Sequence, residues 1–561
     1  MKILSLEIRN FRGIREATIS YPAKSKIGIM IGAGDSTKTT IINAIQWNLW
    51  PTWNLQVIDT DFYNRNIDEK IIITGTYCDL PKELLSEEKF GLYLRNPDIP
   101  YDGISDDEPK DGQRPCVSVQ LSIDKTLEPK WEIVCNRKDP LTLNTADRKK
   151  FPFNVVGDDA KTDLQWGKYS VLQKYADSRG VLHDAYINAM REVANHADLT
   201  ALDTVVDIVK NTGKEYGVGF NSEITNKLIY QNGSFSTSVG LFDGNIPLNM
   251  RGLGSRRLLS MGLNINASEG DSLLMIDEIE NGLEPYRIKS LINEFRTKGS
   301  EAGQILFTTH SSTAVAEAKL DELLIVNSKD GLTKVSRFPE ERNLHDFLQR
   351  QVRSNAEAIL SKRLLVCEGK TEIGYIRALD NYLDQESNER LAYYGVGTFL
   401  GEGENIFKCV DLLKEFGYDL CVFMDSDKLD EEEIKRKYRA EGIRIIDWEQ
   451  PYAIEEQLFM ECPLHIVQTF LDIAVTEKGT QSICSQLKDI AYKVENDQIV
   501  LEELDREHRA KLGKIAKNKN WFKRIDLGEQ IGDVVFQSFD EFEVTNRIKK
   551  VFDEIMDWTK N

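Results

Sequence analysis

Leu364-Leu365-Val366-Cys367-Glu368-Gly369-Lys370-Thr371-Glu372 is an apolar run that ends abruptly in two acids flanking a glycine. A counterpart lies further along the chain, Leu420-Cys421-Val422-Phe423-Met424-Asp425-Ser426-Asp427. A short, continuous apolar run closed by polar residues reads as a buried strand of a parallel sheet. Carboxylates leaving the ends of two such strands emerge at one edge, where open α/β sheets place their ligand sites. Grouped hard oxygen donors suit Mg²⁺ or Mn²⁺, and two such ions roughly 4 Å apart can clamp a phosphodiester. The expected fold class is therefore α/β, with a divalent-metal site in the last third of the chain.

Taken together, the order and separation of these acids resemble the Toprim domain, shared by topoisomerases, bacterial primases and the overcoming-lysogenization-defect (OLD) nucleases. The Glu-Gly-x-x-x-Glu element of that family stands here as Glu368 to Glu372, and its Asp-x-Asp as Asp425-Ser426-Asp427. The resemblance implies a Rossmann-like Toprim domain over residues 351–561, in which Glu368, Asp425 and Asp427 carry the metal and Glu372 joins them. Ala453-Ile454-Glu455-Glu456-Gln457-Leu458 is similar to the Ile-Glu-x-x-Leu element that supplies a further metal carboxylate in OLD-type domains. Glu455 follows the isoleucine, so the resemblance selects it over Glu456; an exposed acidic helix face is the plain alternative for either one alone. Lys523, in Asn520-Trp521-Phe522-Lys523, resembles the lysine these nucleases keep near the scissile phosphate, where it would neutralise developing charge. Gly395-Val396-Gly397 and Gly401 read as a flexible loop between the two acidic strands.

The other end of the chain carries a phosphate-binding pattern. An apolar strand near Ile27 to Ile31 runs into Gly32-Ala33-Gly34-Asp35-Ser36-Thr37-Lys38-Thr39-Thr40, and a helical pattern with Ile41, Ile42, Ala44 and Ile45 follows. Strand, small-residue loop and helix is the context of a P-loop, whose amides and helix N-terminus face phosphates. Lys38 is expected to reach the β- and γ-phosphates of ATP, and Thr39 to bind Mg²⁺. Thr37 stands where a second glycine is usual, so nucleotide capture is the firmer expectation and turnover the weaker. Leu273-Leu274-Met275-Ile276-Asp277-Glu278 reads as a Walker B strand, with Asp277 toward the Mg²⁺ and Glu278 polarising water. After Ile305-Leu306-Phe307 comes Thr308-Thr309-His310-Ser311, whose histidine resembles the switch histidine of ABC-type ATPases.

Arg251-Gly252-Leu253-Gly254-Ser255-Arg256-Arg257 looks like the signature loop of the ABC ATPases related to RecF and SMC proteins, with Gly254 and Ser255 at the nucleotide-facing turn. Asn10 to Ile14 and Asp59-Thr60-Asp61-Phe62-Tyr63 resemble further elements of that group. The resemblance implies an ABC ATPase head in two lobes, residues 1–160 and 231–350, separated by a helical insertion over 161–230. Helical patterns there run Ser170 to Asp177, Asp184 to His196 and Leu202 to Thr212; a plain helical subdomain is an equal reading. One P-loop and one signature in the chain imply a homodimer or a higher assembly, since the signature of one head closes over nucleotide held by another.

Composition sets the outer bounds. At 561 residues the chain exceeds the size of a single core. It is 41% hydrophobic and 29% charged, and no apolar stretch approaches the roughly 20 residues of a membrane span, which gives the expectation of a cytoplasmic protein. Eight cysteines without a Cys-x-x-Cys pair read as buried thiols rather than zinc ligands. A net charge of -20 confines any DNA contact to a local basic patch. Lys511, Lys514, Lys517, Lys519, Lys523 and Arg524, around Trp521-Phe522, are the expected patch.

The whole pattern resembles OLD-family proteins, an ABC ATPase fused to a Toprim nuclease. What this implies is an ATP-regulated, Mg²⁺- or Mn²⁺-dependent DNA endonuclease in bacterial defence against phage, with an operon partner such as a retron reverse transcriptase and its RNA-DNA product, or another defence protein. The rival expectation is a RecF/SMC-like regulatory ATPase whose Toprim fold only binds nucleic acid or a partner.

Overall fold

The computed structural model describes residues 1–561 apart from 22–24, 99–102, 106–107, 110–113, 158–160, 162, 166–171, 173–198, 230–237, 268–271, 299–302, 340–341, 429–430, 488–489, 491, 496–497, 503 and 561. The chain divides into two compact units, Met1–Gln349 and Arg350–Asn561.

In the first unit, twelve strands among the described residues form one mixed sheet. Five of them run parallel in the order Phe153–Val156, Leu273–Ile276, Gln304–Thr308, Ile27–Ile31 and Leu323–Lys329. Ile27–Ile31, Leu273–Ile276 and Gln304–Thr308 are buried along their whole length, which explains why their sequences are apolar without alternation. The far side of the sheet is largely antiparallel. There Lys2–Phe11 lies between Ile14–Ser20 and Ile71–Cys78, followed by Cys116–Ile123, Pro129–Cys135 and Lys138–Thr142. The stretch from Leu6 to Arg9 alternates buried and exposed residues, as a half-covered antiparallel strand must.

Two of the helices expected between residues 161 and 230, Ser170 to Asp177 and Asp184 to His196, lie outside the described residues but for Leu172. The third is observed as Asp203–Glu215. That stretch is not helical throughout: Ile224–Ile229 is a strand paired antiparallel with Ser238–Asp243, which turns through Gly244-Asn245 into Ile246–Pro247. The pairing of Ile224–Ile229 with Ser238–Asp243 overrides the helical reading at this end of the segment, and Gly244, at φ +61°, makes the tight turn that follows.

The second unit is built on four parallel strands in the order Val396–Leu400, Arg363–Cys367, Asp419–Met424, Arg444–Asp447. The chain starts at an inner strand, steps outward to one edge and then returns to the other side. The crevice between Arg363–Cys367 and Asp419–Met424 is thus the switch point of the sheet. Helices Lys370–Ser387 and Ile525–Gln537 approach backbone to backbone. A β-carbon on Gly374 would come within 2.2 Å of the Ile525 carbonyl, and one on Gly528 within 2.5 Å of the Thr371 carbonyl. The glycine-rich stretch from Gly395 to Gly401 is not the flexible loop its composition suggests, because Val396–Leu400 is the edge strand of the sheet. A β-carbon on Gly397 would fall 2.3 Å from the Ser361 hydroxyl, so this glycine reports crowding.

Candidate functional site

Two groups of predicted residues stand at the C-terminal ends of parallel strands, one in each unit. In the first unit, the tip of Ile27–Ile31 opens into the loop Gly32 to Thr37, and helix Lys38–Asn48 begins at once. Gly32 is required: at φ +148°, a β-carbon would lie 2.2 Å from the Val326 carbonyl. Lys38 is folded back over the loop, its Nζ donating to the carbonyls of Gly32 (3.0 Å) and Ala33 (2.8 Å) and to Ser36 Oγ (3.0 Å). Burial pulls the Lys38 pKa down to about 8, against the opposing charges of Glu280, Asp277, Asp35 and Glu278. Gly34, Asp35 and Thr39 are exposed at the mouth of the loop and Thr40 is half-buried.

Thr37, the residue in place of glycine, takes the glycine conformation at φ 69°. Its hydroxyl donates to the Ser36 carbonyl at 2.6 Å and bonds Thr333 Oγ1 at 3.0 Å. Its methyl lies over the turn at Gly13, where a β-carbon would come within 3.2 Å of Thr37 Cγ2. The strain of a β-branched residue with positive φ is thus offset by bonds on both sides of the loop.

Asp277 leaves the tip of Leu273–Ile276 next to that loop. Its Oδ1 accepts from Thr39 Oγ1 at 3.2 Å and from Thr308 Oγ1 at 2.5 Å, so the two residues expected to share the nucleotide's Mg²⁺ are already in contact. Glu278 is exposed, while its main chain is pinned by an N–H bond to Thr308 Oγ1 (2.8 Å) and by Arg257. The buried Arg257 guanidinium donates to the carbonyls of Asp277 (2.7 Å) and Glu278 (2.8 Å). Arg257 thereby joins the signature-like segment to the Walker B strand, a role that the sequence reading missed. Gly254 and Ser255 lie in the first turn of helix Leu253–Ala267, and a β-carbon on Gly254 would meet the Gly282 carbonyl at 2.1 Å. His310, just beyond strand Gln304–Thr308, is exposed.

In the second unit the acids converge. Glu368 follows Arg363–Cys367, and its Oε2 accepts the Asp425 N–H at 3.0 Å across the switch point. Asp425 Oδ1 in turn accepts the Ile454 N–H at 2.8 Å, at the start of the helix Ile454–Glu461 that carries Glu455. Glu372 and Glu455 are buried, at 4% and 3% exposure. Glu456 turns the other way and caps its own helix by accepting the Ala453 N–H at 3.1 Å.

These carboxyls load one another. Burial, followed by the charges of Glu455 and Glu368, pushes the Glu372 carboxyl up to about 8. Burial and then Glu372, Glu368 and Glu455 hold Asp425 well above the usual carboxylate range. Glu368 and Glu455 are also raised, burial being the first cause in both; the Asp425 N–H and Lys428 oppose it at Glu368, while Lys517 and Lys523 are the opposing charges at Glu455. Such a concentration of buried oxygen donors, only partly offset by the nearby lysines, is the chemistry a hard divalent cation relieves. The side chains as placed do not enclose one: among the described residues, no three His, Cys, Asp or Glu side chains are arranged to hold a metal ion. Asp427 is paired with Lys517 instead.

Lys435, unremarkable within the charged run Glu431 to Arg439, is fully buried beneath the Asp-Ser-Asp turn. Its Nζ donates to the Asp425 carbonyl (2.8 Å), Ser426 Oγ (3.0 Å) and Asp447 Oδ2 (3.1 Å). Gly513 brings helix Arg506–Asn518 against the Glu455 turn: a β-carbon there would lie 2.6 Å from Glu456 Cα. Lys517, one turn on, thereby reaches Asp427. The basic stretch must be redrawn accordingly. Trp521 and Phe522 are core residues with no exposure, Trp521 Nε1 bonding Gln486 Oε1 at 2.8 Å, so they offer no ring to a nucleic-acid base. Lys511 pairs with Glu507 and Arg524 with Glu477 and Asp526. Lys514, Lys519 and Lys523 are the exposed cations remaining on that face.

Residues 173–316 match the family model described as "AAA domain, putative AbiEii toxin, Type IV TA system", a stretch that includes the signature-like turn, Asp277, Glu278 and His310. The first unit carries an ATPase domain. The P-loop precedes the matched stretch, and the sheet brings the two together by pairing Ile27–Ile31 with Gln304–Thr308. No curated protein matches the chain. Among solved structures, the Smc head bound to the C-terminal winged-helix domain of ScpA is similar at 16% identity, covering 61% of this chain and 99% of that one with a TM-score of 0.39. The SMC head domain from Thermotoga maritima gives 11% identity, 60% and 100% coverage and a TM-score of 0.31. The Pyrococcus furiosus Smc head with an extended coiled coil, bound to the C-terminal domain of ScpA, gives 14%, 62% and 98%, and 0.36.

Proposed function

We propose that the chain is an ATP-regulated, divalent-metal-dependent DNA endonuclease of the OLD type, an ABC-like ATPase head joined to a Toprim domain. The observation that carries this reading is the grouping of Glu368, Glu372, Asp425 and Glu455 at the switch point of the second sheet, with Glu368 bonded to the Asp425 N–H and Asp425 to the start of the Glu455 helix, where burial first and then neighbouring carboxylates raise the proton affinity of Glu372 and Asp425. Glu368, Glu372, Asp425, Asp427 and Glu455 would hold Mg²⁺ or Mn²⁺. When bound, the cations supply Lewis acidity and a water of lowered pKa.

The residues of the chain do the remaining work. Glu368 and Asp425 stay in place through main-chain N–H bonds, so their oxygens need little reorganisation. Asp427 becomes a ligand once released by Lys517, and that lysine, with Lys523, offers positive charge to a phosphodiester oxygen. In the first unit, Lys38 exchanges loop carbonyls for nucleotide phosphate and Glu278 orients the attacking water. In this reading the heads assemble as a homodimer or larger, nucleotide gates access to DNA, and the setting is antiphage defence with or without an operon partner.

The purified chain with Mg²⁺ or Mn²⁺ is expected to nick or cut plasmid DNA, and the Asp425→Ala variant to leave it intact. Equal cutting by both would overturn the site. The pairing of Asp427 with Lys517 favours a second reading, a regulatory ATPase whose second unit only binds nucleic acid or a partner. Retained DNA binding without cleavage in either metal selects it.

A further inference from the structure

Glu280 lies two residues beyond the expected catalytic glutamate, and no motif assigns it a role. Its carboxylate is a fork on the neighbouring strand tip: Oε2 accepts from Thr309 Oγ1 at 2.7 Å and Oε1 from the His310 main-chain N–H at 2.5 Å. The turn that carries it is fastened from several sides. Ile279 N–H donates to the Thr308 carbonyl at 3.1 Å, Asn281 N–H to the Glu278 carbonyl at 3.0 Å and Leu283 N–H to the Glu280 carbonyl at 2.8 Å. With the Glu278 N–H on Thr308 Oγ1, the path from Asp277 to Glu280 is laced to residues 308–310 at each step. The His310 imidazole, by contrast, projects into solvent. Its orientation rests on its main chain, and the bond that fixes this N–H comes from Glu280.

We propose that Glu280 is a positioning residue of the ATPase, which holds the Thr309–His310 turn so that the imidazole meets the nucleotide and which acts on hydrolysis through His310. The chemistry suits a carboxylate. Two convergent donors, an N–H and an O–H, are satisfied by one rigid fork, and charge-assisted bonds of this length are about twice as strong as neutral ones. Among the acids around Lys38, Glu280 exerts the largest pull on its charge, so the same carboxylate faces both the P-loop lysine and the switch histidine. Glu278 would then be the group that touches water, and Glu280 the group that sets the frame.

The test uses the full chain and steady-state Mg²⁺-ATP hydrolysis. Glu280→Gln keeps both contacts, because the amide oxygen accepts the His310 N–H while the Thr309 hydroxyl reverses to accept from the amide; kcat within about threefold of wild type is expected. Glu280→Ala loses both, with kcat falling about tenfold or more and KM little changed, as for an interaction realised in the transition state. The decisive measurement is the double-mutant cycle: Glu280→Ala should cost almost nothing further in a His310→Ala background. Effects that multiply, or a Glu280→Ala enzyme as fast as wild type, overturn the proposal. Should Glu280→Ala not fold, Thr309→Val removes one arm of the fork and must show a smaller loss with the same dependence on His310. A wild-type chain that binds ATP without hydrolysing it would refute the ATPase reading itself, and with it any role in hydrolysis for Glu280.

Discussion

The P-loop and the acidic switch point occupy the same place in their sheets, yet they hold charge in opposite ways. In the first unit, Lys38 is the buried ion, and the protein satisfies it internally with two carbonyls and a hydroxyl. In the second, four buried or half-buried carboxyls gather at one switch point, and the main-chain donors to Glu368 and Asp425 fix their geometry without cancelling charge. The first site is complete in itself and must open to take a ligand. The second is incomplete and is relieved by one. The difference teaches that two strand-tip sites of similar topology can be told apart by asking which would gain stability from an added cation.

Separating the two chemistries is the largest effect open to measurement. Asp425→Ala is expected to lower metal-dependent DNA cleavage by about a hundredfold or more while ATP hydrolysis stays within a few-fold of wild type. Lys38→Ala is expected to weaken ATP binding by about a hundredfold while Mn²⁺ binding to the second unit persists. Isothermal titration with Mn²⁺ and with ATP on both variants checks the pair. Loss of metal binding in Lys38→Ala would break the comparison, since the two sites would then not be independent.

The second effect is on stability and has a definite sign. Glu372 has its carboxyl raised to about 8 by burial and by Glu455 and Glu368. The folded state therefore holds this proton more tightly than the unfolded chain does. The stability linked to it is complete below the ordinary glutamate range and is lost as pH rises through about 8. Metal-free protein should lose on the order of a few kcal/mol between pH 5 and 8 from this group and its neighbours. Glu372→Gln should flatten the loss and raise the melting temperature at pH 8 by about 5 °C in chelator. Mg²⁺ should restore wild type and do little for the variant. A wild-type melting profile in chelator that rises toward pH 8 would contradict the pocket described here.

A smaller effect tests the frame around that pocket. At Gly513 a β-carbon would meet main-chain atoms of Glu455 and Glu456 at 2.6 to 3.0 Å, so Gly513→Ala must push the helices apart. It should cost about 1–3 kcal/mol, read as a lower urea midpoint. Cleavage should fall with it, because Lys517 and Glu455 sit on the two helices displaced. Unchanged cleavage in a destabilised Gly513→Ala chain would remove Lys517 from the site.

Much of this was legible in the sequence because strands that are buried on both faces announce themselves. Leu364 to Cys367, Leu420 to Met424 and Leu273 to Ile276 are unbroken apolar runs, and the acids at their ends had only one edge to occupy. The residues that escaped notice lack such a signal. Lys435 is spelled like a solvated helix, Glu431 to Arg439, and only the tertiary path of the Asp-Ser-Asp turn buries it. Glu280 looks like one acid among several. Trp521 and Phe522 misled in the other direction: flanked by lysines, they read as part of a basic nucleic-acid-contacting patch, whereas the bend between helices Arg506–Asn518 and Ile525–Gln537 turns both rings into the core and leaves Lys519, Lys523 and Arg524 exposed. The glycines from Gly395 to Gly401 read as flexibility and proved to mark a crowded strand. Composition identifies residue types, and it does not say which side of the fold they face.

Thr37 offers the finest test of the comparison. A left-handed conformation costs a β-branched residue on the order of 1–2 kcal/mol, and glycine would adopt it freely. The hydroxyl bonds to Ser36 and Thr333 return about 1 kcal/mol each. Thr37→Gly removes strain and bonds together, so nucleotide affinity should change by only a few-fold. Thr37→Val keeps the strain and loses both bonds, which predicts a fall of about tenfold, equivalent to about 1.4 kcal/mol. Fluorescent-nucleotide titration distinguishes the two. If valine binds nucleotide as tightly as threonine, the bond to Thr333 does not hold the loop, and the self-contained character assigned to the P-loop site fails at its most strained residue. If valine binds more weakly and glycine does not, the threonine is there to preserve the shape of the loop while no nucleotide is present, which is the property the acidic pocket lacks.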